Sequence, residues 1–226
     1  MPDFDLERSY HRLGCRSVAG VDEVGRGALC GPVVAAAVAF PRALLEADPP
    51  EWFSRLDDSK RLRPRVRAEL ARLIASRAAV GLGWSISAEI DRLNIFAASH
   101  AAMRRAVAGL HPAPDMVLVD GVALRESSLP QRAVPQGDRS CGTIAAASIV
   151  AKVLRDALLE FCGGLHPDYG WDRNKGYGTA GHYRALEDFG PTPFHRRSFQ
   201  LQLARKLFDE RQGRSSQNSG KRRAAG

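Results

Sequence analysis

Four acidic residues occupy positions where folding alone does not require them. Asp22 and Glu23 are adjacent within an apolar segment, VAGVDEVG, that has the pattern of a buried strand. Asp120 ends a second apolar segment, and Asp138 precedes a long apolar helix. An unpaired carboxylate is costly to bury, so a cation or a proton must accompany it. Oxygen ligands without a His or Cys cluster favour Mg²⁺ or Mn²⁺ over zinc, which predicts a two-metal phosphodiesterase.

Simpler interpretations of these acids stay open. Taken singly, Asp120 and Asp138 are each more typical of a turn former or a helix cap than of a metal ligand. The adjacent pair Asp22 and Glu23 favours a metal site, yet neighbours on a regular strand point to opposite faces of the sheet. Both side chains would reach one pair of ions only if the strand is distorted there, or Glu23 would contribute its main-chain carbonyl.

A glycine-rich run, GRGALCG, occupies residues 25–31. It approaches the dinucleotide-binding pattern, but the strand-like VVAAAVAF follows where that pattern requires a helix, and the two preceding acids would repel a pyrophosphate. The run therefore predicts a loop whose bare backbone approaches a sugar or a phosphate. The sequence contains no P-loop motif, which excludes the commonest kind of NTPase.

Charge and composition indicate the partner and the compartment. The net charge of +8 favours a polyanion. Half of this excess lies in residues 213–226, a segment rich in Ser, Gly and Arg that we expect to be a disordered basic tail. The N-terminus lacks the apolar stretch of a signal peptide, and the longest apolar run, residues 33–40, is too short for a membrane span. We therefore expect a cytoplasmic protein, in which the cysteines stay free thiols. Cys162 and His166 lack the paired ligand spacing of a zinc site.

Hydrophobic patterning predicts the elements that must position these residues. The predicted strands are residues 18–24, 33–40, 80–86, 116–119 and 132–134. The predicted helices are residues 5–13, 64–79, 97–110, 141–161, 180–189 and 198–211. Early strands with short loops, followed by strands that alternate with helices, predict an α/β fold with one mixed sheet flanked by helices.

Six segments, in order and between about residues 18 and 200, resemble bacterial ribonuclease HII. They are GVDEVGRGALCGPV, DDSKRL, VDG, GD followed by IAAASIVAKVLRD, NKGYGT and HRRSF. The resemblance implies a ribonuclease H-like fold, a mixed central sheet flanked by helices with a helical C-terminal extension, in a catalytic domain over residues 1–212. It implies an endonuclease that hydrolyses the RNA strand of RNA–DNA hybrids and nicks 5′ of ribonucleotides embedded in duplex DNA. The products would carry 5′-phosphate and 3′-hydroxyl ends, and the roles would be ribonucleotide excision and RNA primer removal.

The same resemblance implies the roles of the acids. Asp22, Glu23, Asp120 and Asp138 match the family's metal ligands, which hold two Mn²⁺ or Mg²⁺ ions with substrate bound. One ion would activate a water, and the other would stabilise the leaving 3′ oxygen. No histidine base is required, and we expect two histidines in matching segments to be structural or phosphate-contacting: His182 and His195.

Seven residues match positions that contact substrate in the family. The backbone of Gly25, Arg26 and Gly27 would contact the 2′-hydroxyl, the group that distinguishes RNA from DNA. Tyr177 would pack on the sugar beyond the RNA-to-DNA junction. Three further residues match phosphate contacts: Lys60, Ser148 and Lys152. For the last two, four residues apart on one helix, the alternative is a solvated polar stripe.

The chain departs from the family at one position, and two rival classes of protein stay open. The family usually has Lys where this chain has Gln136, which we expect to weaken salt-dependent affinity rather than catalysis. A proofreading-type exonuclease also gathers four acids around two metals, but it needs a free 3′ end. A non-catalytic nucleic-acid-binding module would explain the basic tail but not acids in a buried strand. The expected partners are RNA–DNA hybrids and ribonucleotide-containing duplex DNA, with no membrane. We expect a monomer, and the sequence carries no signal for or against a replication clamp.

Overall fold

A computed structural model of the chain describes residues 2–199 and 201. Within them, the strands are Val18–Val24 (β1), Val33–Ala39 (β2), Ala79–Ser85 (β3), Met116–Asp120 (β4) and Gln131–Val134 (β5). The helices are Asp5–Arg12 (α1), Arg42–Glu46 (α2), Pro64–Arg77 (α3), Ser87–Leu93 (α4), Ile95–Ala108 (α5), Gly137–Ser140 (α6), Gly142–Leu165 (α7), Trp171–Asn174 (α8) and Ala180–Phe189 (α9). Short 3₁₀ turns occupy Glu51–Arg55, Pro167–Tyr169 and Arg197–Phe199.

The sheet is mixed, with the strand order β3-β2-β1-β4-β5. The pairs β1–β2 and β2–β3 are antiparallel, whereas β1–β4 and β4–β5 are parallel. Because β1 and β4 are parallel neighbours, their carboxyl ends lie side by side, with Val21 opposite Val119. Asp22 and Asp120 each follow that pair by one residue. The topology alone therefore brings two of the four acids to one edge of the sheet.

Helices cover both faces of this sheet. The long helix α7 packs against β1 and β2 on one face, over buried side chains such as Val34 and Ile149. Helix α5 packs on the other face, and small residues let it come close. A Cβ added at Gly83 would lie 2.1 Å from the carbonyl oxygen of Ala102 on that helix. The predicted mixed sheet flanked by helices is confirmed.

The observed strand bounds differ from the predicted ones by no more than one residue. The main difference is helix α4, which was not predicted, whereas the helix predicted over residues 97–110 corresponds to α5. Asn94 separates the two helices in a left-handed conformation, with φ 70°, and its side-chain oxygen accepts a hydrogen bond from Ala97 N–H at 3.0 Å. Asn caps helices well, so one residue ends α4 and begins α5.

The N-terminal helix α1 is tied to the start of α7 through a buried carboxylate. Glu7 is fully buried, and its Oε1 accepts hydrogen bonds from the N–H of Thr143 at 2.8 Å and from its hydroxyl at 2.7 Å. A carboxylate at a helix N-terminus is favoured by these bonds and by the helix dipole. The contact orients α7, which carries several of the candidate site residues.

Two predictions fall on the C-terminal part of the chain. The tail predicted at residues 213–226 and most of the helix predicted at residues 198–211 lie outside the described residues. The division into a domain of residues 1–212 and a tail therefore stays a prediction. Among the described residues, no helix combines the length and the apolar character needed to cross a membrane.

Candidate active site

Asp22 and Glu23 lie at the end of β1 and leave the sheet on opposite faces. The ladder between β1 and β2 runs unbroken through both residues, with Asp22 opposite Ala36 and Glu23 opposite Ala35. Asp22 is 6% exposed, whereas the Glu23 side chain pairs with the more exposed guanidinium of Arg26 at 3.2 Å. The distorted strand that would turn both carboxylates to one face is not found, because the regular alternation continues to the end of β1.

Asp120 and Asp138 complete the set of acids from β4 and α6. Asp120 Oδ1 accepts a hydrogen bond from Gly137 N–H at 2.7 Å, which ties the end of β4 to the first turn of α6. Asp138 lies in that short helix, whereas the sequence favours a loop there. The residue is buried. The charge of Asp120 raises the pKa of each of the three other acids: Asp22, Glu23 and Asp138. All four acids are therefore electrostatically coupled, with Asp120 at the centre.

These carboxylates titrate as expected for a site that needs cations. Burial, followed by the charges of Glu23 and Asp120, raises the pKa of Asp22 well above its usual range. Burial also raises the pKa of Glu23, although Arg26 opposes this shift. Burial and Asp120 raise the pKa of Asp138. The charged forms are thus disfavoured in the protein alone, and a divalent cation would favour them.

The donor set fits a hard divalent cation. Every one of the four side chains offers only carboxylate oxygens, the ligands that Mg²⁺ and Mn²⁺ prefer. Within residues 2–199, no three of these acids have ligand atoms all within 4.8 Å of one another. The ligands are therefore spread over more space than one ion bound by three carboxylates would occupy.

A fifth acid, Asp58, lies beside the site and was missing from the predicted residues. Asp58 is 2% exposed and accepts hydrogen bonds from Lys60 N–H at 3.0 Å and from the Arg139 guanidinium at 3.3 Å. Lys60 Nζ lies 3.8 Å from Asp58 and 3.9 Å from Asp138, with its side chain 71% exposed. Lys60, predicted as a phosphate contact, is thus beside the acids and accessible. The only sequence signal for Asp58 was the second acid of DDSK, a pattern that also suits an ordinary polar turn.

Of the two α7 residues predicted to contact phosphate, Ser148 is buried and Lys152 is partly buried. Ser148 is 3% exposed, its hydroxyl lies 2.9 Å from that of Ser59, and it lowers the pKa of Asp22. Lys152 donates a hydrogen bond to Asp156 at 2.8 Å, and its side chain is 14% exposed. The alternative of a solvated stripe is therefore wrong for this face of α7.

The glycine-rich loop and the segment that carries Tyr177 lie side by side. Gly25 has φ 95°, a conformation that favours glycine, and a Cβ there would lie 2.1 Å from Arg155 Nε. Leu29 N–H donates to the carbonyl of Gly176 at 2.8 Å. The Arg155 guanidinium lies 5.4 Å from the centroid of the Tyr177 ring. The fold therefore brings together two segments that the sequence placed in separate roles.

One group of three other potential metal ligands within 4.8 Å occurs among the described residues: Cys30, His182 and His195. His182 Nδ1 donates to the Tyr177 carbonyl at 3.0 Å, so its Nε2 is an acceptor. His195 Nδ1 accepts from Thr192 N–H at 3.0 Å, so its Nε2 donates to His182 Nε2, also at 3.0 Å. These bonds occupy the nitrogen lone pairs, and burial raises the pKa of the Cys30 thiol to about 12. The cluster is a structural hydrogen-bond network, as expected for its two histidines, and all four cysteines of the chain are free thiols.

Sequence comparisons place known relatives over most of the chain. The family model described as Ribonuclease HII matches residues 19–202. Ribonuclease HII of Paracoccus denitrificans is 51% identical over 199 residues, which cover 88% of this chain and 91% of that protein. Ribonuclease HII of Rhodospirillum rubrum is 52% identical over 201 residues, with coverage of 88% and 89%.

Solved structures show the same fold. The ribonuclease H2 of Pyrococcus horikoshii OT3 matches with a TM-score of 0.66 and 24% identity, over 86% of this chain and 98% of that one. The PCNA:RNase HII complex from Archaeoglobus fulgidus gives 0.63 and 24%, over 80% and 93%. Bst-RNase HIII in complex with Mn²⁺ gives 0.57 and 21%, over 86% and 71%. The predicted ribonuclease H-like fold is confirmed.

Proposed function

Since the chain belongs to the ribonuclease HII family, metal-dependent endonucleases that cleave the RNA of RNA–DNA hybrids, we propose that it also nicks duplex DNA on the 5′ side of embedded ribonucleotides. The products carry 5′-phosphate and 3′-hydroxyl ends. The observation that carries the proposal is the coupled set of acids at the edge where β1 and β4 end: Asp22, Glu23, Asp120 and Asp138. This activity would serve ribonucleotide excision and RNA primer removal.

Asp22, Asp120 and Asp138 would hold two Mn²⁺ or Mg²⁺ ions through their side chains when substrate is bound, and Glu23, on the undistorted strand, would contribute its main-chain carbonyl. Divalent ions supply an activated water and stabilise a leaving oxygen when they are bound. The raised pKa values of Asp22, Glu23 and Asp138 support this assignment, because burial and neighbouring acids disfavour their charged forms and a bound cation would offset this. Mn²⁺ is the first ion to test, since it is bound in the Bst-RNase HIII structure.

The chain's own side chains bind and orient the substrate around that centre. The exposed ammonium of Lys60, beside Asp138, pairs with a backbone phosphate. Ser148 holds Asp22 from α7, and Lys152 lies 6.0 Å from the centroid of the Tyr177 ring, where it reaches a second phosphate. The backbone of residues 25–27 contacts the 2′-hydroxyl, and Tyr177 packs on the neighbouring sugar.

The protein acts as a monomer, because one chain supplies all of the proposed ligands. Its substrates are RNA–DNA hybrids and ribonucleotide-containing duplex DNA. A sliding clamp is a further partner to test, since the A. fulgidus relative was solved as a PCNA:RNase HII complex.

The test is a covalently closed duplex circle with a single ribonucleotide, incubated with Mn²⁺ or Mg²⁺. We expect one nick on the 5′ side of that ribonucleotide, and a loss of at least about 1000-fold in rate for Asp22→Asn, equivalent to about 4 kcal/mol. Glu46→Gln, which removes an exposed acid of α2, is the matched control and should keep the wild-type rate. An intact circle would overturn the proposal, and an intact circle together with digestion of the same duplex in linear form would indicate an exonuclease instead.

A further inference from the structure

Two fully buried arginines lie beneath the glycine-rich loop, Arg155 on α7 and Arg196 near the end of the described chain. Within residues 2–199, no carboxylate lies close enough to form an ion pair with either guanidinium. A buried guanidinium without a counterion needs acceptors for its N–H donors. Main-chain carbonyls supply these bonds here.

Arg155 joins the glycine-rich loop to the segment that carries Tyr177. Its Nε donates to the carbonyl of Pro32 at 3.0 Å, its Nη2 to that of Cys30 at 3.2 Å, and its Nη1 to that of Lys175 at 2.9 Å. Because the guanidinium is planar and rigid, these three bonds set the distance and angle between the two segments. The same group lies 5.4 Å from the centroid of the Tyr177 ring.

Arg196 holds the loop from the opposite side. Its Nε and Nη2 both donate to the carbonyl of Gly31, at 3.1 and 2.9 Å, and its Nη1 donates to the carbonyl of Arg26 at 2.8 Å. Its own main-chain N–H donates to the carbonyl of Leu29 at 2.9 Å. The carbonyls at both ends of the loop are thus directed into the protein.

The opposite side of the loop is left with free donors. Both Arg26 and Gly27 are exposed, and no acceptor in the described part of the chain receives a hydrogen bond from their main-chain N–H groups. A sugar hydroxyl or a phosphate oxygen is the natural acceptor for such groups. Two buried positive charges beneath the loop strengthen that preference for an anionic backbone.

We propose that Arg155 and Arg196 are positioning residues for substrate recognition. They direct the loop carbonyls inward, leave the N–H groups of Arg26 and Gly27 for the ribose-phosphate backbone at the cut site, and hold Tyr177 at a set distance from that loop. The inference rests on the proposed function, which assigns this loop and Tyr177 to the substrate.

The test compares Arg155→Lys and Arg196→Lys with the matched control Arg105→Lys. Arg105 also donates to a main-chain carbonyl, that of Trp84 at 2.6 Å, but it lies at the β3 edge of the sheet and pairs with Glu89. Lysine keeps the charge but cannot make the fixed set of three bonds. The steady-state kcat and KM are measured on duplex DNA with one embedded ribonucleotide, together with the Mn²⁺ concentration that gives half-maximal rate.

We expect each loop variant to lose about 10- to 100-fold in kcat/KM, mainly through a raised KM, with the half-maximal Mn²⁺ concentration unchanged. Arg105→Lys should keep the wild-type KM. A wild-type KM in either folded loop variant would overturn the inference, because substitution of a purely structural arginine would lower only the stability of the protein. Wild-type protein that fails to nick the duplex would instead reject the proposed function.

Amide hydrogen exchange of the wild-type protein provides a second measurement if a lysine variant does not fold. The amides of Leu29 and Gly31, which donate to main-chain carbonyls, should exchange slowly, while those of Arg26 and Gly27 exchange fast. Binding of the ribonucleotide-containing duplex in EDTA should slow exchange at Arg26 and Gly27. Slow exchange at these two amides in the free protein, or no change on binding, would contradict the inference.

Discussion

The buried arginines and the buried acids of this protein differ in what balances their charge. Arg155 and Arg196 are two like charges, and burial, followed by Arg155, lowers the pKa of Arg196 to about 9. Each guanidinium nevertheless donates to main-chain carbonyls at 2.8–3.2 Å. The acids around Asp120 are also like charges with shifted pKa values, but the cations beside them, such as Lys60 and Arg26, are largely exposed.

The difference distinguishes a charge cluster that the fold itself completes from one that needs a ligand to complete it. The main chain completes the arginine cluster inside the protein, so nothing further is required for its stability. Exposed cations balance the acid cluster only in part, which is the arrangement expected of a metal-dependent active site. Substitutions in the two clusters should therefore change stability in opposite directions.

The largest effect is expected for Arg155→Met. This change leaves three carbonyls without their donor at a position that is 0% exposed, and a buried unsatisfied group costs about 1–3 kcal/mol. The free energy of unfolding, measured by urea denaturation, should fall by about 3–5 kcal/mol. A loss below about 1 kcal/mol would mean that water replaces the guanidinium and that the cluster is not complete.

A smaller effect of opposite sign is expected for Asp22→Asn in EDTA. The raised pKa of Asp22 means that the folded state favours the protonated form, so this carboxyl contributes most stability at low pH and destabilises the wild type as the pH rises. The variant should be more stable at pH 8 by about 1–2 kcal/mol, or about 2–6 °C in Tm, and the difference should vanish below pH about 4. Thermal melts of both proteins across this pH range measure it.

Added Mn²⁺ provides the control for this comparison. Saturating ion at about 100 times its Kd stabilises a folded protein by about 2.7 kcal/mol, and the wild type should gain this while Asp22→Asn gains less. A variant less stable than the wild type at pH 8 in EDTA would contradict the prediction. It would mean that the fold itself stabilises the Asp22 carboxylate, as it does the two arginines.

The smallest effect concerns an added cation at the acid cluster. Gln136 is exposed, has φ 55° and immediately precedes α6, which carries Asp138. Gln136→Lys should tighten substrate binding at low salt, and the slope of log affinity against log salt should become more negative by about 0.9. The rate at saturating substrate should not change. Binding measured between about 50 and 200 mM salt tests this, and an unchanged slope would show that position 136 does not contact phosphate.

Much of the fold was predictable because its signals are local. The strand bounds followed from apolar runs that end at glycine, proline or acidic residues, and α3 followed from Pro64 with an apolar stripe. Helix α4 was missed, because its seven residues are too few to establish a helical period. Asp58 was missed because its burial against Lys60 and Arg139 depends on distant packing.

The sequence by itself determined the sheet and predicted the four acids as hard metal ligands, because residue type and local periodicity carry that information. Only the tertiary structure decided that Arg155 and Arg196 meet beneath one loop. Arg155 contacts carbonyls 20 and 123 residues away, and Arg196 contacts one 165 residues away. Any main-chain carbonyl accepts an arginine equally well, so residue type alone does not identify the partner. The packing of α7 against the sheet selects the carbonyls that Arg155 contacts, and the tertiary fold brings Arg196 to the other side of the same loop.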